Sequence, residues 1–146
     1  RWLLLLLLAS LTTVTKAKVF SRCEMSHLLL EEGLDGYRGY SPPSVKLCMA
    51  FYESTFNTAA QSIKADGSTD YGIFQISSQL WGTADRSPSD NCCRTACRDL
   101  LSNNITDDIV CAKRIVRNPQ GMDAWEGWVT HCKGRGLSEW VEGCDL

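Results

Sequence analysis

Eight cysteines in a chain of 146 residues constrain the fold more than any other feature of this sequence. So high a density in so short a chain is typical of a secreted protein that is held by disulfide bonds. Zinc binding is disfavoured because the spacings around Cys92, Cys93 and Cys97 do not form paired ligand motifs and only two histidines are present. Because eight cysteines allow roughly a hundred pairings, the cysteines by themselves leave the connectivity open.

The start of the chain has the order of a secretion signal, in which a basic residue, an apolar stretch and small residues follow one another. Arg1 precedes the leucine run Leu3–Leu8, and Ala17 stands at a suitable cleavage position. The apolar stretch is too short for an ordinary transmembrane helix. We therefore predict a signal peptide at 1–17, lacking its first residue or residues, and one secreted domain at 18–146. The alternative is a buried N-terminal helix.

Charge limits the partners that the predicted domain could have. Removal of Arg1 and Lys16 would leave 13 basic and 17 acidic side chains, a net charge of −4. A negative protein is repelled by anionic surfaces, although salt limits the range of this repulsion to about 8 Å. Nucleic acid and acidic membranes are therefore poor candidates for binding partners.

Outside the predicted signal peptide, no second segment is apolar enough to span a membrane. We expect the protein to be a monomer.

Helix signals frame both ends of the predicted domain. Ser21 with Glu24 three residues later forms a capping box, which predicts a helix that ends near Gly33. A second helix is expected after Ser41, where two prolines suit the first turn, and it should end close to Glu53. Later in the chain, apolar residues recur on one helical face, namely Ile105, Ile109, Ala112 and Val116.

The segment between these helices has the composition of a small β lobe. Residues 57–81 are rich in Ser, Thr, Gly and Asp, and Asp66-Gly67 is a turn signal. The run Thr69–Ile76 predicts a strand, so a small antiparallel sheet is expected here, followed by a cysteine-rich loop at 82–97. Helices from both ends of the chain with a sheet between them give an α+β fold.

Two carboxylates in this layout stand in contrasting surroundings. Glu53 ends an apolar helix beside Phe51 and Tyr52, and burial there would keep its carboxyl protonated near neutrality. Asp70 lies on a polar strand, where we expect it to be solvated and ionised. A proton donor facing an ionised carboxylate is what cleavage of a glycosidic bond needs. The alternative is that both are ordinary surface residues.

Segments along most of the predicted domain resemble the C-type lysozyme family. They start at the predicted mature N-terminus and include both carboxylates: Lys18–Glu24, Gly33–Ser41, Tyr52–Thr58, Asp66–Ile76, Cys111–Val116 and Gly121–Trp125. The acidic balance and the tail 137–145 look most like the lysozyme-like proteins of sperm and testis. The resemblance implies a helical lobe and a small antiparallel β lobe with a cleft between them, stapled by disulfide bonds.

The resemblance also implies roles for individual residues. Glu53 falls on the family's general acid, Asp70 on its nucleophile or electrostatic stabiliser, and Trp125 on the tryptophan that packs against the acid and raises its pKa. The sugar-contacting positions correspond to Gln75, Ser77, Trp81, Ala124 and Trp125. The alternative is that the tryptophans are core residues only. The implied reaction is retaining hydrolysis of the β-1,4 link between N-acetylmuramic acid and N-acetylglucosamine in peptidoglycan, with no cofactor.

The chain departs from the family pattern in its cysteines and in its core. Gly82 stands where the family has a further cysteine, so Cys92 and Cys97 either pair after a local rearrangement or remain thiols. Lys46 stands where the family has a core tryptophan, and loss of a large buried aromatic costs roughly 3–5 kcal/mol where a cavity remains. The disulfide bonds that the family implies are Cys23–Cys144, Cys48–Cys132 and Cys93–Cys111.

Other departures lie in the implied cleft. Leu80 replaces an aromatic residue, Ser77 an asparagine and Asn118 an aspartate, so substrate binding is expected to weaken more than the chemistry. Glu126 stands where a small apolar residue is usual, and it either raises the pKa of Glu53 by like-charge repulsion or points to solvent. The net charge of −4 differs from that of basic bactericidal lysozymes and favours a digestive or reproductive setting.

Residues 102–108 resemble the calcium loop of calcium-binding lysozymes and α-lactalbumin, but only Asp107 and Asp108 remain of its three carboxylates. Since calcium takes about six to eight oxygen ligands, we expect no tight metal site, and predict that these aspartates stabilise a helix N-terminus. Asn104 begins an N-glycosylation sequon, which has meaning only if it is exposed.

The sequence therefore favours a secreted glycosidase of the muramidase type, antibacterial or active on glycans of the reproductive tract. Its binding partners would be N-acetylated oligosaccharides or peptidoglycan. The alternative is a non-catalytic or weakly active glycan-binding protein in sperm–egg contact, located outside the cell or in the sperm acrosome. A modifier role like that of α-lactalbumin is disfavoured, because that group has lost the acid that Glu53 supplies here.

Overall fold

The computed structural model describes residues 17–32, 44–78, 82–83 and 93–145. Nearly all of the predicted signal peptide lies outside these ranges, as do Gly33, the prolines before the second helix, Leu80, Trp81 and Cys92. None of the helices in the described ranges is both long enough and apolar enough to cross a bilayer.

The first helix, α1, spans Arg22–Glu31 and begins as the capping box predicts. The Glu24 N–H donates to the Ser21 hydroxyl at 3.2 Å, and the Ser21 N–H donates to a Glu24 carboxylate oxygen at 3.0 Å. Two of the otherwise unpaired N–H groups at the helix start are satisfied in this way. The apolar side chains of Met25 and Leu29 from this helix are fully buried.

The second helix, α2, spans Ser44–Ser54 and runs through the core. Lys46, at the position where the resemblance places a core tryptophan, is fully buried in it. The end of α2 is joined to the β lobe, because the Ser54 hydroxyl donates to the Ile73 carbonyl at 2.6 Å. This bond holds the residue that follows Glu53 against the β lobe.

The sheet is antiparallel, with the order β1-β2-β3: Gln61–Ile63, Thr69–Tyr71 and Ile76–Ser77. The prediction of one strand over residues 69–76 is wrong, because a turn at 72–75 divides it. Gly72 with φ +81° and Gln75 with φ +51° reverse the chain there, a conformation that an extended strand does not allow. Asp70 lies opposite Ser62 on one side and Ser77 on the other.

The rest of the described chain returns to helices. A short parallel pair, β4 at Gly82–Thr83 and β5 at Thr95–Ala96, precedes a 3₁₀ helix at Cys97–Leu101. The periodic apolar residues form α3, Thr106–Val116, and a 3₁₀ turn at Gly121–Ala124 leads into α4, Glu126–His131. A last 3₁₀ helix covers Ser138–Val141. The α+β prediction is therefore confirmed.

The core joins the two lobes. Ile73, Phe74 and Ile76 from the β lobe are fully buried together with Leu47 and Met49 of α2. Burial of each such side chain contributes roughly 1.5–3 kcal/mol relative to exposure. The sheet is therefore attached to the helices through its turn at 72–75, and strand β1 stays exposed along its length.

Three disulfide bonds are present in the described residues, and they are the pairs that the resemblance implied: Cys23–Cys144, Cys48–Cys132 and Cys93–Cys111. The first joins α1 to the C-terminal region, and the second joins α2 to the residue that follows α4. The third ties the segment before the 3₁₀ helix to α3.

Cys97 is a free thiol in the structure, which is one of the two alternatives that the sequence left open for it. Its side chain is buried in the first turn of the 3₁₀ helix at Cys97–Leu101, where it packs as a small apolar group. Burial raises the pKa of this thiol to about 11, which removes the reactive thiolate at neutral pH.

We expect Cys97 to react with a thiol reagent far more slowly in the folded protein than in denaturant. Alkylation before and after unfolding, followed by peptide mass spectrometry, measures this directly. Detection of a disulfide-linked peptide that contains Cys97 would contradict the assignment.

Candidate functional site

A cleft of about 500 Å³ lies between the β lobe and the helices. The two predicted carboxylates both line it, Glu53 from the end of α2 and Asp70 from the middle strand β2. Strand, turn and helix residues complete its walls, among them Lys64, Asp66, Ser68, Asp123, Glu126 and Val129.

Glu53 is half-buried and accepts a hydrogen bond from the Gly127 N–H at 2.7 Å. Burial is the largest influence on this carboxyl and raises its pKa, because the charged form is poorly solvated. The Gly127 N–H opposes this rise, and the charge of Asp70 adds to it. The result is a carboxyl that holds its proton to a higher pH than an exposed glutamate.

Asp70 is buried, with 9% of its surface exposed, so the expectation that it is openly solvated is wrong. It occupies the central strand of the sheet, with neighbours on both sides and the cleft wall above it. Burial raises its pKa, whereas the ammonium of Lys64 lowers it through charge and a hydrogen bond. The Lys64 Nζ lies 3.2 Å from Asp70 Oδ2.

Trp125 is buried and anchors the helical wall of the cleft to the sheet. Its indole N–H donates to the Phe74 carbonyl at 2.8 Å, and its side chain is 4% exposed. It is thus a core residue that also lines the cleft beside Glu53. Its burial agrees with a core position, and its contact with a sugar stays a prediction.

The remaining predicted sugar-contacting residues differ in what they offer to a ligand. Gln75 is buried, and its amide N–H groups donate to the Ala60 and Gly72 carbonyls, each at 3.0 Å, so the donors of its side chain already serve the turn. Ser77 is half-buried and Ala124 exposed, and both line the cleft. Trp81 lies outside the described residues.

Glu126 is exposed, and it also lines the cleft. Its charge slightly raises the pKa of Glu53, after the larger influences of burial, Gly127, Asp70 and Lys64. Both alternatives for Glu126 therefore hold in part, because the side chain meets solvent and still acts on Glu53.

The two weak calcium candidates, Asp107 and Asp108, differ in their surroundings. Asp107 is exposed and Asp108 is fully buried, although they are neighbours in the first turn of α3. In the part of the chain that the structure describes, no three carboxylate, imidazole or thiol groups lie together in a way that could hold a metal ion. Asn104 of the sequon is exposed, and its Oδ1 accepts hydrogen bonds from the Thr106 N–H and hydroxyl.

Sequence reasoning missed Lys64 and Gly127, which are in direct contact with Asp70 and Glu53 respectively. For Lys64 a signal was present, because a turn at Asp66-Gly67 brings residue 64 next to the start of β2. The Lys64 N–H donates to the Ser68 carbonyl at 2.8 Å across this turn. No local signal identifies Gly127, which reaches Glu53 only through the packing of α4 against α2.

A helical lobe packed on a small antiparallel sheet, with two unlike carboxyls in the cleft between them, defines the lysozyme-like class of proteins. The chain belongs to the C-type lysozyme/alpha-lactalbumin family, whose sequence model matches residues 18–144.

Curated relatives include both lysozymes and lysozyme-like proteins. The chain is 52% identical over 146 residues to sperm acrosome membrane-associated protein 3 of Mus musculus, covering 99% of this chain and 66% of that protein. It is 51% identical to lysozyme C of Equus asinus, covering 88% and 100%, and 43% identical to lysozyme-like protein 2 of Homo sapiens, covering 98% and 96%. The chain thus spans about two thirds of the length of the mouse protein.

Solved structures show the same fold. The crystal structure of lysozyme from Equus asinus superposes with a TM-score of 0.85 at 50% identity, covering 88% of this chain and 100% of that one. Apo canine milk lysozyme gives a TM-score of 0.85 at 48% identity with the same coverage.

Proposed function

We propose that the protein is a retaining glycoside hydrolase that cleaves the β-1,4 link between N-acetylmuramic acid and N-acetylglucosamine in peptidoglycan. The observation that carries the proposal is that Glu53 and Asp70 line one cleft in unlike surroundings. Burial raises the pKa of both carboxyls, but only Asp70 is in contact with an ammonium group, that of Lys64, which opposes this rise. Lysozyme is the type case of such a pair, and the retaining course is taken from the family.

In the proposed reaction, the Glu53 carboxyl donates its proton to the glycosidic oxygen as the bond to the anomeric carbon breaks. The Asp70 carboxylate meets the positive charge that develops on this carbon, or bonds to it. The Glu53 carboxylate then takes a proton from water, whose oxygen attacks the same carbon and releases the sugar. Both residues end in the protonation state in which they began.

The test is release of reducing sugar from purified peptidoglycan by the wild-type protein and by Glu53→Gln. We expect the variant to lose at least about a hundredfold in kcat/KM, since general acid catalysis contributes this much or more. The matched control is Glu126→Gln, which removes a carboxylate from the same cleft without removing the acid.

The control should remain active, with the alkaline limb of its pH profile moved to lower pH. The reason is that the charge of Glu126 raises the pKa of Glu53, so its removal lowers that pKa. If the wild-type protein releases no more sugar than Glu53→Gln, hydrolysis of this substrate is rejected.

A second candidate function is glycan binding without turnover, in sperm–egg contact. It is favoured by the similarity of the chain to lysozyme-like protein 2 and to a protein named for the sperm acrosome. Relatives named for the sperm acrosome support a reproductive setting, and three disulfide bonds suit export to an oxidising compartment. Calorimetric titration of N-acetylglucosamine oligomers into Glu53→Gln tests this candidate, and absence of binding heat would reject it.

A further inference from the structure

Lys64 occupies a position in the cleft that the assignment of the two carboxylates leaves unexplained. It follows strand β1 at the base of the turn before β2, and two backbone hydrogen bonds, with Gly67 and Ser68, hold it there. Its ammonium reaches across to Asp70 Oδ2 at 3.2 Å, while about half of its side chain stays exposed. The backbone is thus fixed, and the charge rests against one particular carboxylate.

Asp70 has few other groups that could hold its charge. Its Oδ1 is buried and has no hydrogen-bond partner among the described residues. The strand neighbours, Ser62 and Ser77, are uncharged. A buried carboxylate in this condition would take up a proton, because the charged form is the one that burial penalises.

The charged groups around Asp70 act in opposite directions. Asp66, on the turn before β2, disfavours its ionisation, and Glu53 faces it across the cleft. The 3₁₀ helix packed on β2 carries Arg98 and Asp99. Both are exposed, and neither is among the groups that shift the pKa of Asp70. Among the described residues, Lys64 is therefore the group that favours the carboxylate.

We propose that Lys64 is a positioning residue that keeps Asp70 ionised inside the cleft while Glu53 remains protonated. This inference rests on the proposed function. Burial acts on both carboxyls in the same direction, so a pair with opposite protonation states needs something that separates them. Lys64 contacts Asp70 directly but acts on Glu53 only as a minor influence, after burial, Gly127 and Asp70. Its charge therefore lowers the pKa of Asp70 more than that of Glu53.

The experiment compares Lys64→Gln with Lys64→Arg and with Lys133→Gln. Lys133 is a matched control, because it is also 52% exposed and pairs with another cleft carboxylate, Asp123, at 2.7 Å. Both glutamine variants remove one positive charge that pairs with a carboxylate of the cleft, but only Lys64→Gln removes it from Asp70. The readouts are the titration of the Asp70 carboxyl by carbon NMR and the acid limb of kcat/KM.

We expect Lys64→Gln to move the Asp70 titration and the acid limb to higher pH. The activity loss should be about threefold on the acid limb and should vanish near neutrality, as suits a half-exposed ion pair. Lys64→Arg should restore the wild-type titration, and high salt should move the wild-type titration in the direction of Lys64→Gln. An Asp70 titration unchanged in Lys64→Gln, or moved equally by Lys133→Gln, overturns the proposal. The NMR titration needs no turnover, so it decides this point even if hydrolysis itself is rejected.

Discussion

In an Asp108→Asn variant, we expect the protein to be no more stable than the wild type near pH 4 and more stable by several kcal/mol above pH 8. The Asp108 side chain is fully buried in the first turn of α3, and neither carboxyl oxygen has a hydrogen-bond partner of good geometry in the described part of the chain. Burial raises its pKa from 3.8 to about 8. The native protein therefore carries this carboxyl in its neutral form at physiological pH.

The sign follows from proton binding. Between pH 3.8 and about 8 the folded state holds a proton at Asp108 that the unfolded state has released. The free energy of unfolding therefore falls as the pH rises through this window, by about 1.4 kcal/mol per pH unit from this group. Asparagine has no charged form, so the free energy of unfolding of the variant does not fall in this way. At low pH the variant gains nothing, because its buried amide finds no new hydrogen-bond partner.

Urea unfolding at several pH values measures the difference between the two proteins. The control is Asp107→Asn, an exposed neighbour on the same turn, whose loss should weaken the helix by about 0.3–1 kcal/mol through the helix dipole. A stability difference between wild type and Asp108→Asn that does not change with pH would show that Asp108 titrates normally.

The Gly72→Ala substitution should cost several kcal/mol of stability. Gly72 has φ +81°, which costs an alanine on the order of 1 kcal/mol. An added Cβ would also lie 2.2 Å from the Leu100 carbonyl oxygen and 2.6 Å from Asp108 Oδ2. Backbone at such a distance must move, and overpacking of this kind typically adds about 1–3 kcal/mol.

Gly67→Ala separates the two contributions. Gly67 has φ +88°, but a Cβ there would meet no atom within 4 Å, so only the conformational cost of about 1 kcal/mol remains. Midpoints of urea unfolding for the two variants and the wild type give both values. Equal losses of stability in the two variants would mean that the contact between the added Cβ and the Leu100 carbonyl oxygen costs no free energy.

Local signals were sufficient for the helices but not for the β lobe. The capping residues Ser21 and Glu24 and the apolar period of α3 act within a few residues, so the sequence alone locates both helices. The turn at 72–75 lies inside an apolar run, and it depends on the close approach of Gly72 to Leu100, far along the chain. A pattern of alternating residues carries no information about such a contact.

In the candidate site too, the sequence predicts the residues but not the contacts that depend on tertiary packing. The resemblance located Glu53 and Asp70, and the structure brings them to one cleft. The surroundings of Asp70 were predicted wrongly, because composition makes its strand look polar, whereas its burial follows from the sheet on both sides and the lobe beneath it. Tertiary packing decides the protonation of a carboxyl, and the neighbours that do so here are distant or across a turn.

No cysteine lies between Cys48 and Cys92, so no covalent link is anchored in the sheet β1-β2-β3. The helical lobe that carries Glu53 is cross-linked, whereas the strand that carries Asp70 is held by packing and by hydrogen bonds such as those of Ser54 and Trp125. The two halves of the cleft are thus protected by different chemistry. Oxidation of the thiols secures one half, whereas burial of the shared core and its hydrogen bonds secure the other.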